Sequence, residues 1–133
     1  MNISKAIQRG DLRALRANED EIVQDVNDMM KNPSVVWEDY ITYWMAIYDD
    51  PEIATQMFEV FMNTCKTALK PQVYDKVLGL YSYPTMCGAI YSQNIEILEY
   101  IKSRVDSDTI MTEIEREFGI EDNEVYRWYQ DNF

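Results

Sequence analysis

Carboxylate side chains are the residues of this chain whose types and spacing could do chemistry. Glu113, Glu117 and Glu121 recur every four residues, a spacing that places side chains on one face of a helix. Paired carboxylates can perform general acid–base catalysis when burial raises the pKa of one of them. Gly119 interrupts this face and Arg116 adjoins it, so a solvated helix surface explains the series better.

Other catalytic and metal-binding patterns are missing from the sequence. The chain has no histidine, which removes the commonest general base and the commonest metal ligand. Its two cysteines, Cys65 and Cys87, are distant from each other, and we expect them to be reduced and buried. The acidic segment at Asp49-Asp50-Pro51 lacks the alternating ligands and central glycine of a calcium loop. We therefore predict a protein that is not an enzyme and uses no metal and no cofactor.

Net charge is the strongest property of the composition. Twenty-four acidic residues against twelve basic ones give a formal net charge of −12. Such a chain is repelled by phosphate backbones and by anionic membrane surfaces, so we expect neither direct nucleic-acid binding nor membrane binding. A basic protein would be attracted, with fast and salt-sensitive association. The alternative is that the acidity only keeps the chain soluble.

The acidic residues gather in clusters along the first half of the chain. Acids at helical spacing could imitate a row of phosphates and occupy the nucleic-acid-binding groove of a partner, whereas a solvated face is the alternative. Two aromatic residues of the same region are expected near the surface, where aromatic side chains often anchor a partner. The predicted partner-binding residues are Glu19, Asp20, Glu21, Asp25, Trp37, Glu38, Asp39, Tyr48, Asp49, Asp50 and Glu52.

Helical spacing of apolar residues appears along almost the whole chain, and strand-like alternation is missing, so we predict an all-α fold. Asp50 is the expected N-cap of a helix that begins at Pro51. The helix over residues 35–48 is expected to bury Val36, Tyr40, Tyr43, Trp44 and Ile47. Further helices are predicted over about residues 3–9, 12–17, 19–31, 71–80, 85–91, 94–105, 108–118 and 122–129.

An Ala-Ile pair occurs three times, beginning at Ala6, Ala46 and Ala89. Two variable residues, a turn and a second helix follow each pair. A small residue late in the first helix lets the second helix fold back closely. Such hairpins cannot bury their own apolar faces, so they stack on one another.

The segment PTMCGAIYSQNIEILEYI, from Pro84 to Ile101, resembles an ankyrin repeat. Ankyrin repeats carry the sequence Thr-Pro-Leu-His before their alanines and Gly-His at the turn. The resemblance implies a stack of short helical hairpins, and the missing Gly-Ala-Asp loop implies that β-hairpin fingers are absent. Spacings above the family's roughly 33 residues imply extra helical turns between the pairs. An irregular helical bundle is the alternative.

This organisation predicts a single helical domain over residues 1–133. Repeat-like units are expected at about residues 3–18, 35–62 and 84–105, and a C-terminal helical cap at 107–133. The N-terminus lacks the apolar core of a signal peptide, and no apolar run approaches the roughly 20 residues that cross a membrane. We therefore expect a cytoplasmic protein.

The function that these features favour is non-catalytic inhibition. In size and charge the chain resembles phage anti-defence proteins and antitoxin or immunity proteins. That resemblance implies a basic partner, such as a nuclease or another nucleic-acid-binding protein. A structural scaffold or a homo-oligomerising interaction module is the alternative.

Overall fold

The computed structural model describes residues 2–34 and 36–104, together with Asp131. Within these residues the chain is helical and has no strand, which confirms the predicted all-α class. The predicted cap at 107–133 and the series Glu113, Glu117 and Glu121 lie outside the described residues. The elements are α1 (Asn2–Arg9), α2 (Leu12–Ala17), α3 (Glu19–Lys31), a 3-10 helix (Trp37–Asp39), α4 (Ile41–Ala46), α5 (Pro51–Ala68), α6 (Pro71–Ser92) and α7 (Ile95–Arg104).

Capping side chains start three of these helices where the sequence places them. The Asp50 carboxylate accepts hydrogen bonds from the backbone N–H groups of Glu52 and Ile53, at 3.0 and 3.3 Å, which confirms the predicted N-cap. Asp11 caps α2 and Asn94 caps α7 in the same way. Each cap satisfies backbone donors that the first turn of a helix cannot satisfy itself.

The first Ala-Ile pair forms the closing turn of α1. The N–H of Gly10 donates to the carbonyl of Ile7 at 3.1 Å, and the N–H of Asp11 donates to the carbonyl of Ala6 at 2.8 Å. These two bonds define a Schellman motif, which requires a left-handed residue after the helix. Gly10 supplies it with a φ of +63°. Asp11 thus ends one helix with its backbone and starts the next with its side chain.

The third Ala-Ile pair ends α6 with the same two hydrogen bonds. Gln93 donates to the Ile90 carbonyl at 3.2 Å, and Asn94 donates to the Ala89 carbonyl at 2.7 Å. The left-handed position is taken here by Gln93, with a φ of +61°. A residue with a Cβ is strained in this conformation, because Cβ approaches the following carbonyl oxygen.

The middle Ala-Ile pair cannot form this motif. Its counterpart of Asp11 and Asn94 is Pro51, which has no N–H to donate. The Ala46 carbonyl instead accepts a hydrogen bond from the Ser92 hydroxyl, at 2.7 Å. A residue of α6 therefore completes the end of α4.

Hydrogen bonds also join the three turns that follow the Ala-Ile pairs. The Tyr48 hydroxyl donates to the Arg9 carbonyl at 3.1 Å, and the Asn94 side-chain amide donates to the Pro51 carbonyl at 3.2 Å. The three hairpins are thus linked in sequence order. The likeness to ankyrin repeats stays a prediction.

The core centres on α4, α5 and α6. α4 packs on both α5 and α6, and α6 packs in turn on α7. Gly88 allows the closest approach, since a Cβ at this position would lie 2.6 Å from the Tyr43 carbonyl oxygen and 3.0 Å from the Ala46 Cβ. Ala6, Ala46 and Ala89 are all buried, as the repeat predicts. No helix among the described residues is both long and apolar enough to cross a membrane.

The prediction of one helix over residues 35–48 is wrong. The chain forms a 3-10 helix and then α4, with Tyr40 in extended backbone between them. The break buries the Tyr40 ring edge-on against Tyr81, at 5.1 Å between ring centroids. It also changes the buried face of α4, because Trp44 is exposed while Met45 is fully buried. Aromatic and β-branched residues, weak helix formers, leave this segment free to break.

The prediction that separate helices cover residues 71–80 and 85–91 is also wrong. α6 runs unbroken from Pro71 to Ser92 and carries Pro84 in its interior. Proline usually marks a helix boundary, since it lacks the N–H of the helical hydrogen bond. Here the surroundings of Pro84 are buried, and the Thr85 hydroxyl donates to the Tyr81 carbonyl at 2.7 Å. Packing on several sides keeps the chain helical through the proline.

Replacing Gln93 with glycine is expected to raise the free energy of unfolding. Glycine adopts a positive φ without strain, and the Gln93 side chain is exposed, so no packing is lost. We expect a gain of about 0.5–1 kcal/mol in urea unfolding followed by circular dichroism. The control Gln93→Ala keeps the strained conformation and should leave stability nearly unchanged. Equal effects of the two substitutions would contradict this explanation.

Replacing Gly88 with alanine is expected to destabilise the protein by about 1–3 kcal/mol. The new Cβ would overlap the Tyr43 carbonyl oxygen, which is backbone and cannot turn away. Alanine normally stabilises a helix interior by about 1 kcal/mol relative to glycine. The sign of the change in the free energy of unfolding, measured by thermal and urea unfolding, therefore tests the contact. A Gly88→Ala variant more stable than the wild type would rule out the close contact.

Candidate functional site

An open groove of about 450 Å³ lies between the C-terminal half of α3 and the 3-10 helix. We call it the acidic groove, because three carboxylates line it and none of its described lining residues is basic. Its volume lies in the range of ligand-binding sites. The residues that line it are Asp25, Asp28, Met29, Asn32, Pro33, Ser34 and Asp39.

One wall of the acidic groove is a face of α3. Asp25, Asp28, Met29 and Asn32 are spaced three or four residues apart, so their side chains emerge on the same side of the helix. The Asp28 carboxylate accepts a hydrogen bond from the Gln24 side-chain amide at 2.9 Å. An adjoining face of α3 is buried, and α3 packs on α5. The acidic face therefore borders the core, which leaves Asp28 exposed and Asp25 half-buried.

Ser34 and Asp39 form the other wall. The Ser34 hydroxyl donates to the Asp39 carboxylate at 2.5 Å and accepts from the Val36 N–H at 3.1 Å. The Ser34 carbonyl accepts from the buried Tyr40 hydroxyl at 2.6 Å. These bonds fix the Asp39 carboxylate on the rim of the groove.

Asp25 lies at the base of the groove and is half-buried. Its carboxylate accepts a hydrogen bond from the Tyr81 hydroxyl at 3.2 Å. Burial raises the pKa of Asp25 above its ordinary value, and the charge of Asp28 acts in the same direction, while the bond from Tyr81 opposes them. Burial likewise raises the pKa of Tyr81, so the tyrosine stays the donor.

The chemistry of this groove suits a cationic side chain. Carboxylates on two walls attract an ammonium or guanidinium group, and Met29 and Pro33 offer apolar surface for its alkyl stem. Among the described residues, no three histidine, cysteine or acidic side chains converge closely enough to hold a metal ion. The Cys65 thiol is buried, and burial raises its pKa to about 12, which leaves it protonated and inert.

The structure brings two of the predicted partner-binding residues, Asp25 and Asp39, together in the acidic groove. Asp28, which was not among the predicted residues, is the third carboxylate of the groove. The other nine predicted residues do not line the groove. They are Glu19, Asp20, Glu21, Trp37, Glu38, Tyr48, Asp49, Asp50 and Glu52.

Several of these nine residues have evident structural roles. Asp50 caps α5, and the Tyr48 hydroxyl bonds to Arg9 while its ring packs against Gly10. Trp37 and Tyr48 are half-buried. The acids at the start of α3 suit a positive helix N-terminus, as the sequence predicts, and Glu19 and Asp20 are exposed there.

An exposed aromatic surface was missed by the sequence analysis. The exposed fraction of Trp44 is 48%, and that of Tyr91 is 74%. The rings of Tyr43 and Trp44 meet edge-on at 5.1 Å. Gly88 touches the Tyr43 carbonyl, and Tyr91 follows Gly88 by three residues on α6, so Tyr91 lies near Tyr43. We call Tyr43, Trp44 and Tyr91 the aromatic patch.

Tyr43 of the aromatic patch interacts with several groups on the two helices and on the 3-10 helix. Burial raises the pKa of Tyr43, and the charge of Glu38 and the nearby Cys87 and Tyr91 raise it further. The Trp44 indole N–H donates to the Glu38 carbonyl at 2.7 Å. A sequence prediction that broke the helix at Tyr40 would have identified this surface, because the break turns Trp44 away from the core.

Family comparison matches residues 2–130 to DUF5903, which is described as a family of unknown function. The match covers nearly the whole sequence, and the chain belongs to this family. Searches of the curated proteins and of the solved structures found no match.

Replacing Asp25 with asparagine is expected to stabilise the protein at neutral pH. Because the folded-state pKa of Asp25 is raised, its charged form costs stability at neutral pH, and this cost disappears as the pH falls towards the ordinary value of 3.8. Asparagine keeps an acceptor for Tyr81 without the charge. Urea unfolding at several pH values should show an advantage for Asp25→Asn that shrinks on acidification.

The matched control is Glu99→Gln, which removes one negative charge from an exposed position on α7, away from Asp25. It reports the effect of net charge alone. If both variants gain the same stability at neutral pH, burial of Asp25 is not the cause.

Proposed function

We propose that this DUF5903 protein is a non-catalytic inhibitor that binds a basic, nucleic-acid-binding partner such as a nuclease. The acidic groove is the observation that carries the proposal. It holds Asp25, Asp28 and Asp39 around an open volume of about 450 Å³, with no basic residue among its described lining. A cationic side chain or a short basic segment of the partner would occupy it.

The charge of the whole chain supports the same proposal. A protein that binds nucleic acid neutralises phosphates with lysine and arginine, so its binding groove is cationic. A chain with a formal net charge of −12 is drawn to such a groove over long range. Carboxylates fixed along α3 and the 3-10 helix would then take the place of phosphates. The protein would inhibit its partner by occupying the partner's nucleic-acid-binding groove.

A cytoplasmic site of action belongs to the same proposal. The Cys65 thiol is buried and reduced. This state suits the reducing cytosol, where disulfides are rare.

A second candidate function is that of a scaffold or a homo-oligomer. The exposure of Trp44 and Tyr91 favours it, because aromatic side chains are enriched at protein interfaces. A mass in light scattering that rises with concentration would support this candidate. A monomer at all concentrations would leave the inhibitor as the better proposal.

Charge reversal in the groove tests the inhibitor. We expect the protein to displace a labelled DNA duplex from an arginine-rich peptide, and to do so less well as salt rises. Asp28→Lys should raise the concentration needed for displacement about tenfold or more, since loss of one close charge pair costs more than about 1.4 kcal/mol. Fluorescence anisotropy of the duplex measures the displacement.

The matched control is Glu99→Lys, which makes the same change of charge at an exposed position on α7, outside the groove. It should behave much like the wild type. Salt-independent displacement, or equal losses in both variants, would contradict a role for the groove. A larger loss of displacement in Glu19→Lys or Asp20→Lys would indicate that the partner contacts the N-terminal end of α3 instead.

A further inference from the structure

The acidic groove and the aromatic patch share one structural element. Asp39, at the end of the 3-10 helix, lines the groove. Glu38 precedes it, and the Glu38 carbonyl accepts the hydrogen bond from the Trp44 indole. A partner segment that leaves the groove across the 3-10 helix therefore meets Trp44 next.

Trp44 offers its aromatic face rather than its polar edge. Its only polar atom, the indole nitrogen, already donates within the chain at 2.7 Å, and the edge-on contact with Tyr43 steadies the ring. About half of the side chain remains accessible. The exposed π surface of tryptophan attracts cations more strongly than that of any other side chain.

A carboxylate near the Tyr43–Trp44 ring pair defines which cation fits best. Glu38 is exposed, and its charge acts on Tyr43, the ring in contact with Trp44. Arginine can stack its planar guanidinium on an aromatic ring and pair with a carboxylate at the same time, whereas the lysine ammonium is compact and strongly hydrated. This chain contains an example of the stacking alone, since the Arg104 guanidinium carbon lies 3.6 Å from the centroid of the Tyr100 ring.

We infer that Trp44 and Glu38 form a subsite for an arginine side chain, and that the basic partner is recognised through arginine rather than lysine. The inference rests on the proposed function and specifies the chemistry of its partner. A second copy of this chain fits the surface poorly. It would bring its own net charge of −12 against Glu38 and the acidic groove.

Two peptides of equal length and charge, one with arginine and one with lysine alternating with glycine, test the subsite. Isothermal titration should show that the wild type binds the arginine peptide roughly two- to fivefold more tightly than the lysine peptide. Trp44→Ala should remove this preference while the groove still binds both peptides. Trp44→Phe should keep part of the preference, and Trp44→Leu, which is apolar without a π face, should lose it.

Each of the other possible results contradicts the arginine subsite, alone or together with the proposed function. Equal binding of both peptides by the wild type, or a preference that survives in Trp44→Leu, overturns the arginine subsite and leaves the acidic groove intact. Failure of the wild type to bind either peptide overturns the proposed function and the subsite together. Self-association that Trp44→Ala abolishes assigns the aromatic patch to a second copy and also overturns the subsite. Thermal unfolding checks that all three variants remain folded.

Discussion

The close contact between α4 and α6 is the constraint on which the surface of this protein depends. It exists because Gly88 has no side chain at the point where α6 meets the Tyr43 carbonyl. Ala46 and Ala89 are both fully buried, and their small side chains allow α4 and α6 to lie close together. With α4 fixed in this way, Trp44 is exposed to solvent, and Asp39 of the 3-10 helix that precedes α4 lines the acidic groove.

Two buried tyrosines connect the groove to the core. Tyr40 reaches the Ser34 carbonyl beneath one wall, and Tyr81 reaches Asp25 beneath the other, while their rings meet edge-on. Tyr81 also packs on Phe61, at 5.0 Å between ring centroids. A carboxylate held partly out of water next to other carboxylates costs stability. Groups of this kind are common at binding sites, where a ligand's opposite charge relieves the cost.

Local chemistry made the turns and caps predictable, whereas long-range packing decided the rest. Gly10 and Asp50 act through their own backbone or the next few residues, so the helix ends at these two residues could be located from the sequence alone. Tyr40 breaks a helix because its ring packs against Tyr81, a contact between residues far apart in the chain. Asp25 and Asp39 could be named as acids, but their meeting in one groove follows from that same break. Pro84 was misleading because buried surroundings override its usual role.

The hydrogen bond from Ser92 to the Ala46 carbonyl has a consequence for how the chain acquires its structure. Where α1 and α6 end with a backbone donor five residues after their alanines, α4 receives its donor from 46 residues further along the sequence. During synthesis, which proceeds at roughly 5–20 residues per second, the end of α4 stays incomplete for several seconds after it leaves the ribosome. The middle hairpin is therefore completed only after Ser92 has been made, shortly before Asn94 closes the turn of the third hairpin.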